Sequence, residues 1–281
     1  MKPKIAFLYD FDKTLCTKDM QEYTFIPNAQ MTAAEFWELS NELSIQNKMD
    51  RMLSYMYTML FVSRNKHLPV RRENFFAAGE DIDFFPGVKS WFTRMNAFGE
   101  SLGVEIEHYI ISSGLKEIIE GSAIADAFKE VYACEFYYDE NGVATWPTQV
   151  VNYTGKTQYL FRINKGLLDI STDEGLNDFM PEEERPIPFR NMVYFGDGVT
   201  DVPCMKLVRE YGGKSIAVYP SETEGALEKV KDLLMANRIN FYAPANYEEG
   251  SVLETLVQDI VRHMALADSL VKLTLQQKRN D

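Results

Sequence analysis

The sequence predicts an α/β fold, a doubly wound parallel sheet with a helical domain inserted after the first strand. Three observations lead there. An apolar run from Ile5 to Tyr9 stops at two carboxylates, Asp10 and Asp12. From Pro86 onward, strand-like apolar runs alternate with stretches of helical spacing, the pattern of a parallel sheet wrapped by helices. Between these two parts, residues 17–84 carry apolar side chains at helical intervals and show little strand-like alternation.

Ile5 to Tyr9 mixes aliphatic and aromatic residues and reads as a strand buried on both faces. Side chains two apart on a strand point the same way, so Asp10 and Asp12 begin as same-side neighbours where the chain must turn. Strand carboxyl ends are where open parallel sheets bind ligands. Adjacent like charges are costly unless a cation or a shared proton relieves them. In the next block, Ala33 to Leu43 and Met49 to Val62 read as helices, and Thr32 followed by Glu35 signals an N-terminal cap. Met52, Met56 and Met59 form a stripe expected to pack the helix. Val70 to Ala78 reads as a shorter helix, and Phe85-Pro86-Gly87 closes the block. The expected organisation is a core of residues 1–16 and 86–281 with a helical cap over 17–85.

Beyond it, Val88 to Ala97 is expected as a helix ended by Gly99 and Gly103. Val104 to Ile111 is a strand that terminates in Ser112-Ser113-Gly114, and Leu115 to Glu120 begins a helix. Glu130 to Cys134 is a strand, and Phe136 to Trp146 a hairpin around Asn141-Gly142. Gly155-Lys156 opens an amphipathic helix to about Lys165. Residues 171–190, acidic and punctuated by Pro181, Pro186 and Pro188, read as a surface loop. Asn191 to Phe195 is a strand ending in Gly196-Asp197-Gly198, with Asp201 four residues beyond Asp197. A helix over Met205 to Tyr211, a strand over Lys214 to Tyr219, a helix over Glu224 to Met235 and a strand over Ile239 to Tyr242 follow. A long amphipathic helix from about Ser251 to Leu275 completes the series.

The net charge of −13 argues against nucleic acid or an anionic membrane surface as partner. The three cysteines, Cys16, Cys134 and Cys204, are widely spaced and suggest neither a disulfide framework nor a zinc cluster. No apolar run approaches membrane-spanning length, and Asp10 arrives too soon after Lys2 and Lys4 for a signal peptide. A cytoplasmic protein is expected; oligomeric state is left open.

Three strand ends carry polar, glycine-flanked clusters: Asp10/Asp12/Thr14, Ser112/Ser113/Gly114 and Asp197/Gly198/Asp201, with Lys156 at a helix start between them. A parallel sheet brings such ends into one crevice, and together they hold the parts of a phosphoryl-transfer site. Carboxylates of Asp10 and Asp197 suit an oxygen-loving cation such as Mg2+. One carboxylate can attack phosphorus, and a second two residues on can protonate the leaving oxygen and then activate water. Ser112 with nearby backbone N–H groups is suited to phosphoryl oxygens, and Lys156 to the remaining charge.

Asp10-Phe-Asp12-Lys-Thr14-Leu, Ser112, Lys156 and Gly196-Asp197-Gly198-Val-Thr-Asp201 resemble, in order, the four motifs of the haloacid-dehalogenase superfamily. The resemblance implies that superfamily's core and cap, with Asp10 as nucleophile and Asp12 as general acid/base. It implies Mg2+ held by Asp10, the backbone carbonyl of Asp12 and Asp197, supported by Asp201. It also implies phosphate bound by Ser112, Ser113 beside it, and Lys156, which orients Asp10. Dehalogenases of this fold lack the second acid of the first motif, so Asp12 points to phosphate chemistry, and the Asp-Lys-Thr-Gly-Thr string of P-type ATPases is absent. The chain is most similar to the phosphoserine phosphatase-like subfamily, in which Asp19 takes the place of an acid that faces the substrate amine. Arg51 and Arg64 are the candidates for a substrate carboxylate, and the aromatic, Met-rich cap also suits a phosphorylated amine. The expected activity is Mg2+-dependent hydrolysis of a small phosphorylated metabolite through an aspartyl-phosphate. The rivals are a phosphotransferase or mutase, and a binding protein without catalysis on the same fold.

Overall fold

A computed structural model describes residues 2–198 and 200–279. Its centre is β1 (Lys4–Tyr9), whose residues from Ile5 onward are wholly buried. Four helices follow: α1 (Phe25–Asn28), α2 (Ala33–Asn47), α3 (Arg51–Lys66) and α4 (Arg72–Ala78). The alternating part then runs α5 (Val88–Ser101), β2 (Glu105–Leu115), α6 (Lys116–Glu120), β3 (Glu130–Tyr138) and β4 (Ala144–Gln149). It continues with α7 (Lys156–Lys165), β5 (Met192–Gly196), α8 (Val202–Glu210), β6 (Lys214–Tyr219), α9 (Ala226–Met235), β7 (Phe241–Pro244) and α10 (Val252–Arg279). The seven-stranded sheet has the order β4-β3-β2-β1-β5-β6-β7, parallel except for β4. The chain builds outward from β1 on one side and then returns to its other flank. The winding therefore reverses at the β1/β5 boundary, where open α/β sheets place their ligands. Helices α5 with α10 and α7 with α8 pack as pairs around it.

Three local readings change. Gly99 lies inside α5, because a Cβ there would stand 2.8 Å from the Ile106 side chain; the glycine serves helix–strand packing and does not end the helix. Residues 130–134 and the first arm of the hairpin form one strand, β3, whose antiparallel partner β4 is reached through Gly142 at φ 71°. Strand β2 runs past Ser112 to Leu115, with its register against β3 shifting between Ile111 and Leu115.

The helical block leaves and re-enters the core at one place. Cys16 and Phe84 form an antiparallel bridge, with Thr17 N–H donating to the Asp83 carbonyl (3.0 Å) and Phe85 N–H to the Leu15 carbonyl (3.0 Å). Within the block, Thr32 and Glu35 close a reciprocal capping box on α2, and the Asp50 carboxylate caps α3 by accepting from Met52 N–H at 2.9 Å. Met56 and Met59 are buried packing residues. Helix α4 is attached to the core: Ala144 N–H donates to the Val70 carbonyl, Arg72 N–H to the Gly142 carbonyl, and a Cβ on Gly121 of the core would fall 1.8 Å from the Phe76 carbonyl oxygen. Among the described residues no helix is long and apolar enough to cross a membrane.

Behind β1 a polar chain crosses the aromatic core. Trp91 Nε1–H donates to the Tyr9 hydroxyl (2.9 Å), which lies 3.1 Å from His108 Nδ1, and His108 Nε2 lies 3.0 Å from Asn96 Oδ1. The Tyr9 hydroxyl, already accepting, gives its own hydrogen to Nδ1, so Nε2 carries the ring proton of a neutral imidazole. Burial pushes the His108 pKa from 6.5 down to about 3. The folded state thus binds fewer protons than the unfolded chain. The stabilising contribution is complete above pH 6.5 and is lost as pH falls from there toward 3, at up to about 1.4 kcal/mol per pH unit. Denaturant titrations at pH 7.5, 6 and 5 are expected to show this slope, shallower in His108→Phe; an unchanged slope in the variant would assign the acid sensitivity elsewhere.

Candidate active site

At the end of β1 the Asp10 N–H donates to the Phe195 carbonyl (2.9 Å), which ties the first motif to the end of β5. The chain then closes a tight turn in which Leu15 N–H reaches the Phe11 carbonyl (2.9 Å) and Lys13 sits in the left-handed region at φ 58°. Asp10 is 5% exposed. Its Oδ1 accepts from Lys156 Nζ at 2.7 Å, and the same ammonium donates to Asp201 Oδ1 at 2.8 Å. Lys156 is fully buried as the first residue of α7, which Asn152 prepares: its side-chain oxygen accepts from Gly155 N–H and its carbonyl from Lys156 N–H, both at 2.9 Å. Asp201 stands immediately before α8, makes no side-chain bond to that helix, and is wholly buried. Its Oδ1 accepts a second bond, from the Tyr194 hydroxyl at 2.8 Å, whereas its Oδ2 is buried with no partner. That approach requires glycine at 196, since a Cβ there would meet Asp201 Oδ2 at 2.5 Å.

Asp10, Asp197 and Asp201 each bring an oxygen within 4.8 Å of the others. Val199, between Asp197 and Asp201, lies outside the described residues. Burial, then the charges of Asp201 and Asp10, push Asp197 up to about 8. Burial and Asp201 likewise outweigh the pull of Lys156 and carry Asp10 up to about 6. For Lys156 burial acts downward, but Asp10 and Asp201 together hold its pKa above the ordinary value. Lys156 bonds two of the three carboxylates, and Asp197 has no bonded cation, only the nearby charges of Lys13 and Lys156. An all-oxygen donor set with a bare, buried carboxylate oxygen fits a hard divalent cation of the Mg2+ kind.

Asp12 stands apart from this cluster. Its Oδ1 accepts from Met20 N–H (2.9 Å) and lies 3.6 Å from Cys16 Sγ. Burial, then Asp19 and Asp10, raise its pKa well above the carboxylate range, which favours the protonated form that a general acid needs. Ser112 lies within β2, and its Oγ accepts from Gly114 N–H at 3.0 Å, so the hydroxyl hydrogen is left for another acceptor. The serine cluster is therefore a departure from strand pairing inside β2, and the expectation that the strand stops before it does not hold. Leu115 N–H points to Met20 Sδ (2.9 Å), so with Gly114 N–H two of the backbone donors expected for phosphate are already engaged. The Ser113 hydroxyl is buried without a partner, and its carbonyl accepts from the Tyr55 hydroxyl of α3 at 2.9 Å.

These groups share one cavity of about 300 Å³. Asp10, Asp12, Ser112, Ser113, Lys156 and Asp197 line it from the core, and α2 and α3 cover it with Trp37, Met52 and Tyr55. Asp201 lies behind Lys156, in contact through it. Asp19 and Arg51 also line the cavity, whereas Arg64 does not. Lys13 and Gln21 line it too, and Tyr194 supports it from below; none of the three is legible as a site residue from the sequence. The only sequence signal for Tyr194 is a phenol in an otherwise apolar strand, a residue that seeks a partner when buried.

Residues 7–206 match the family model of haloacid dehalogenase-like hydrolases. A protein of Borreliella burgdorferi, described as uncharacterised, is 28% identical over 284 residues, covering 91% of this chain and 95% of its own length. Among solved structures, a HAD family hydrolase of Salmonella enterica serovar Typhi superposes with a TM-score of 0.57 at 15% identity, over 86% of this chain and 67% of that one. A phosphoserine phosphatase in its apo form gives 0.53 at 15% identity, over 85% of this chain and 92% of that one. At such identities the likeness to the solved structures is one of fold.

Proposed function

Because the chain belongs to the haloacid dehalogenase-like hydrolases, we propose that it is a magnesium-dependent phosphatase acting on a small phosphorylated metabolite. The observation that carries this reading is the buried Lys156 ammonium, shared between Asp10 and Asp201 on the floor of a cavity that Asp12 and Ser112 also line. Asp10, Asp197 and Asp201, with the backbone carbonyl of Asp12, would hold Mg2+, whose charge lets a carboxylate approach a phosphate dianion.

The residues of this chain then divide the work. The Ser112 hydroxyl and Lys156 receive phosphoryl oxygens, with Ser113 beside them. Lys156 holds Oδ1 of Asp10, so Oδ2 is the oxygen that attacks phosphorus. As the Asp10–phosphorus bond forms and the bond to the leaving oxygen breaks, Asp12 gives its proton to that oxygen. Asp12 then takes a proton from the water that attacks the aspartyl-phosphate, and the Asp10–phosphorus bond breaks to release phosphate. Residues 1–16 and 86–281 form the catalytic core in this reading, and 17–85 a cap that excludes water, hinged at the Cys16–Phe84 bridge.

With p-nitrophenyl phosphate and a panel of phosphomonoesters, phosphate release is expected to require Mg2+, to stop with EDTA and to return when Mg2+ is restored. Absence of release from every ester in the presence of Mg2+ would sink the reading. Transfer to an added acceptor alcohol without free phosphate would make the chain a phosphotransferase.

A further inference from the structure

Helix α3, which covers the cavity, is tied to the turn that presents Lys156. Asp50 stands immediately before α3, and Arg51, Met52 and Tyr55 of that helix line the cavity. One oxygen of its carboxylate, Oδ1, accepts from Met52 N–H (2.9 Å) and Leu53 N–H (3.3 Å) and so starts the helix. The other, Oδ2, accepts from Asn152 Nδ2 at 3.0 Å, between residues 102 positions apart. Asn152 in turn closes the turn before α7: its Oδ1 accepts from Gly155 N–H and its carbonyl from Lys156 N–H, both at 2.9 Å. A Cβ at 155 would stand 2.6 Å from Asn152 Oδ1, so this turn closes on glycine. The partners fix the Asn152 amide, since Gly155 N–H needs its oxygen and Asp50 its nitrogen.

We propose that Asp50 and Asn152 are positioning residues, a tie through which α3, lying over the cavity, sets the turn that aims Lys156 at Asp10. The inference deepens the phosphatase reading and rests on it for the phosphoryl group that Lys156 receives. The same helix holds the other phosphoryl-binding element, because the Tyr55 hydroxyl donates to the Ser113 carbonyl. With α3 lifted, Asn152 loses the acceptor that orients its amide, and the turn before Lys156 loosens. Displacing a reacting group by about 1 Å costs up to about 10²-fold in rate. Lys156 is therefore fully placed only when the cavity is covered and water is shut out.

Exchanging the two residues tests the tie. In Asp50→Asn the new side chain still caps α3 through its oxygen, but its NH2 meets that of Asn152, and turning Asn152 over moves the conflict to Gly155 N–H. In Asn152→Asp the bond from Gly155 survives and two carboxylates meet. The double variant Asp50→Asn/Asn152→Asp restores every bond with donor and acceptor reversed. Below the melting temperature of every variant, kcat on p-nitrophenyl phosphate with Mg2+ is expected to fall about tenfold in each single variant and to recover to within about threefold of the parent in the double. Hydrogen exchange read by mass spectrometry follows the tie without turnover. Asp50→Asn should speed exchange over residues 153–160 as well as 50–60, and the double variant should reverse both. A single variant with parental kcat, a double variant no better than the singles, or faster exchange confined to the helix next to the substituted residue overturns the proposal. If no ester is hydrolysed, the phosphatase reading fails and the exchange pattern decides alone: coupled exchange supports the tie, and uncoupled exchange overturns it.

Discussion

Asp10→Asn protein is expected to release no phosphate above background, a loss of at least about 10⁴-fold in kcat. Asparagine has the shape of aspartate, and its side-chain oxygen still accepts from Lys156 Nζ, which lies 2.7 Å away in the parent. What it lacks is the anionic oxygen that attacks phosphorus. The substitution also removes one of the three crowded carboxylates, and burial with the Asp201 charge already disfavours ionisation of Asp10 in the absence of a cation. Stability is therefore expected to hold or rise, which separates lost chemistry from lost fold. Initial rates on p-nitrophenyl phosphate with Mg2+, taken alongside thermal melts, check both halves. Turnover within tenfold of the parent would mean that water attacks phosphorus directly and that Asp10 only supports the site.

Lys156→Met is expected to damage both fold and activity. The ammonium is buried between two buried carboxylates, with bonds of 2.7 and 2.8 Å. Methionine fills the volume but leaves both acids without their shared donor. Breaking a buried ion pair by removing one partner costs about 3–5 kcal/mol, a large share of the stability of a typical domain. Activity should fall by about 10² or more, because a phosphoryl ligand and the orientation of Asp10 vanish together. The diagnostic is the double variant: Asp10→Asn with Lys156→Met should be more stable than Lys156→Met alone, since one uncompensated charge has gone. Denaturant titrations within about 1 kcal/mol of the parent for Lys156→Met would refute the shared-ammonium account.

Much of the site was legible because its chemistry demands particular residue types at strand ends. Asp10 and Asp12 follow an apolar run that reads as a buried strand, and Asp197 and Asp201 follow a second one. Lys156 was legible as the first residue of an amphipathic helix, and Asn152 ties the turn before it by accepting from Gly155 N–H. Glycines misled where their reason was tertiary. Gly99 looks like a helix terminator, yet it is there because Ile106 leaves no room for a Cβ. The serine cluster looked like a strand end, yet β2 resumes pairing at Leu115 after its register shifts.

The sequence by itself determined the fold class and the order of the motifs, because hydrophobic periodicity and strand polarity act locally and topology follows from them. Only the tertiary structure decided which charges cancel. Lys13 pairs with Asp19, Lys156 is divided between Asp10 and Asp201, Tyr194 takes the remaining bond at Asp201 Oδ1, and Arg51 lines the cavity where Arg64 does not. Coulomb and hydrogen-bond energies depend on separations of a few ångströms between side chains far apart in the chain. Those separations are set by packing and leave no periodic trace in the sequence.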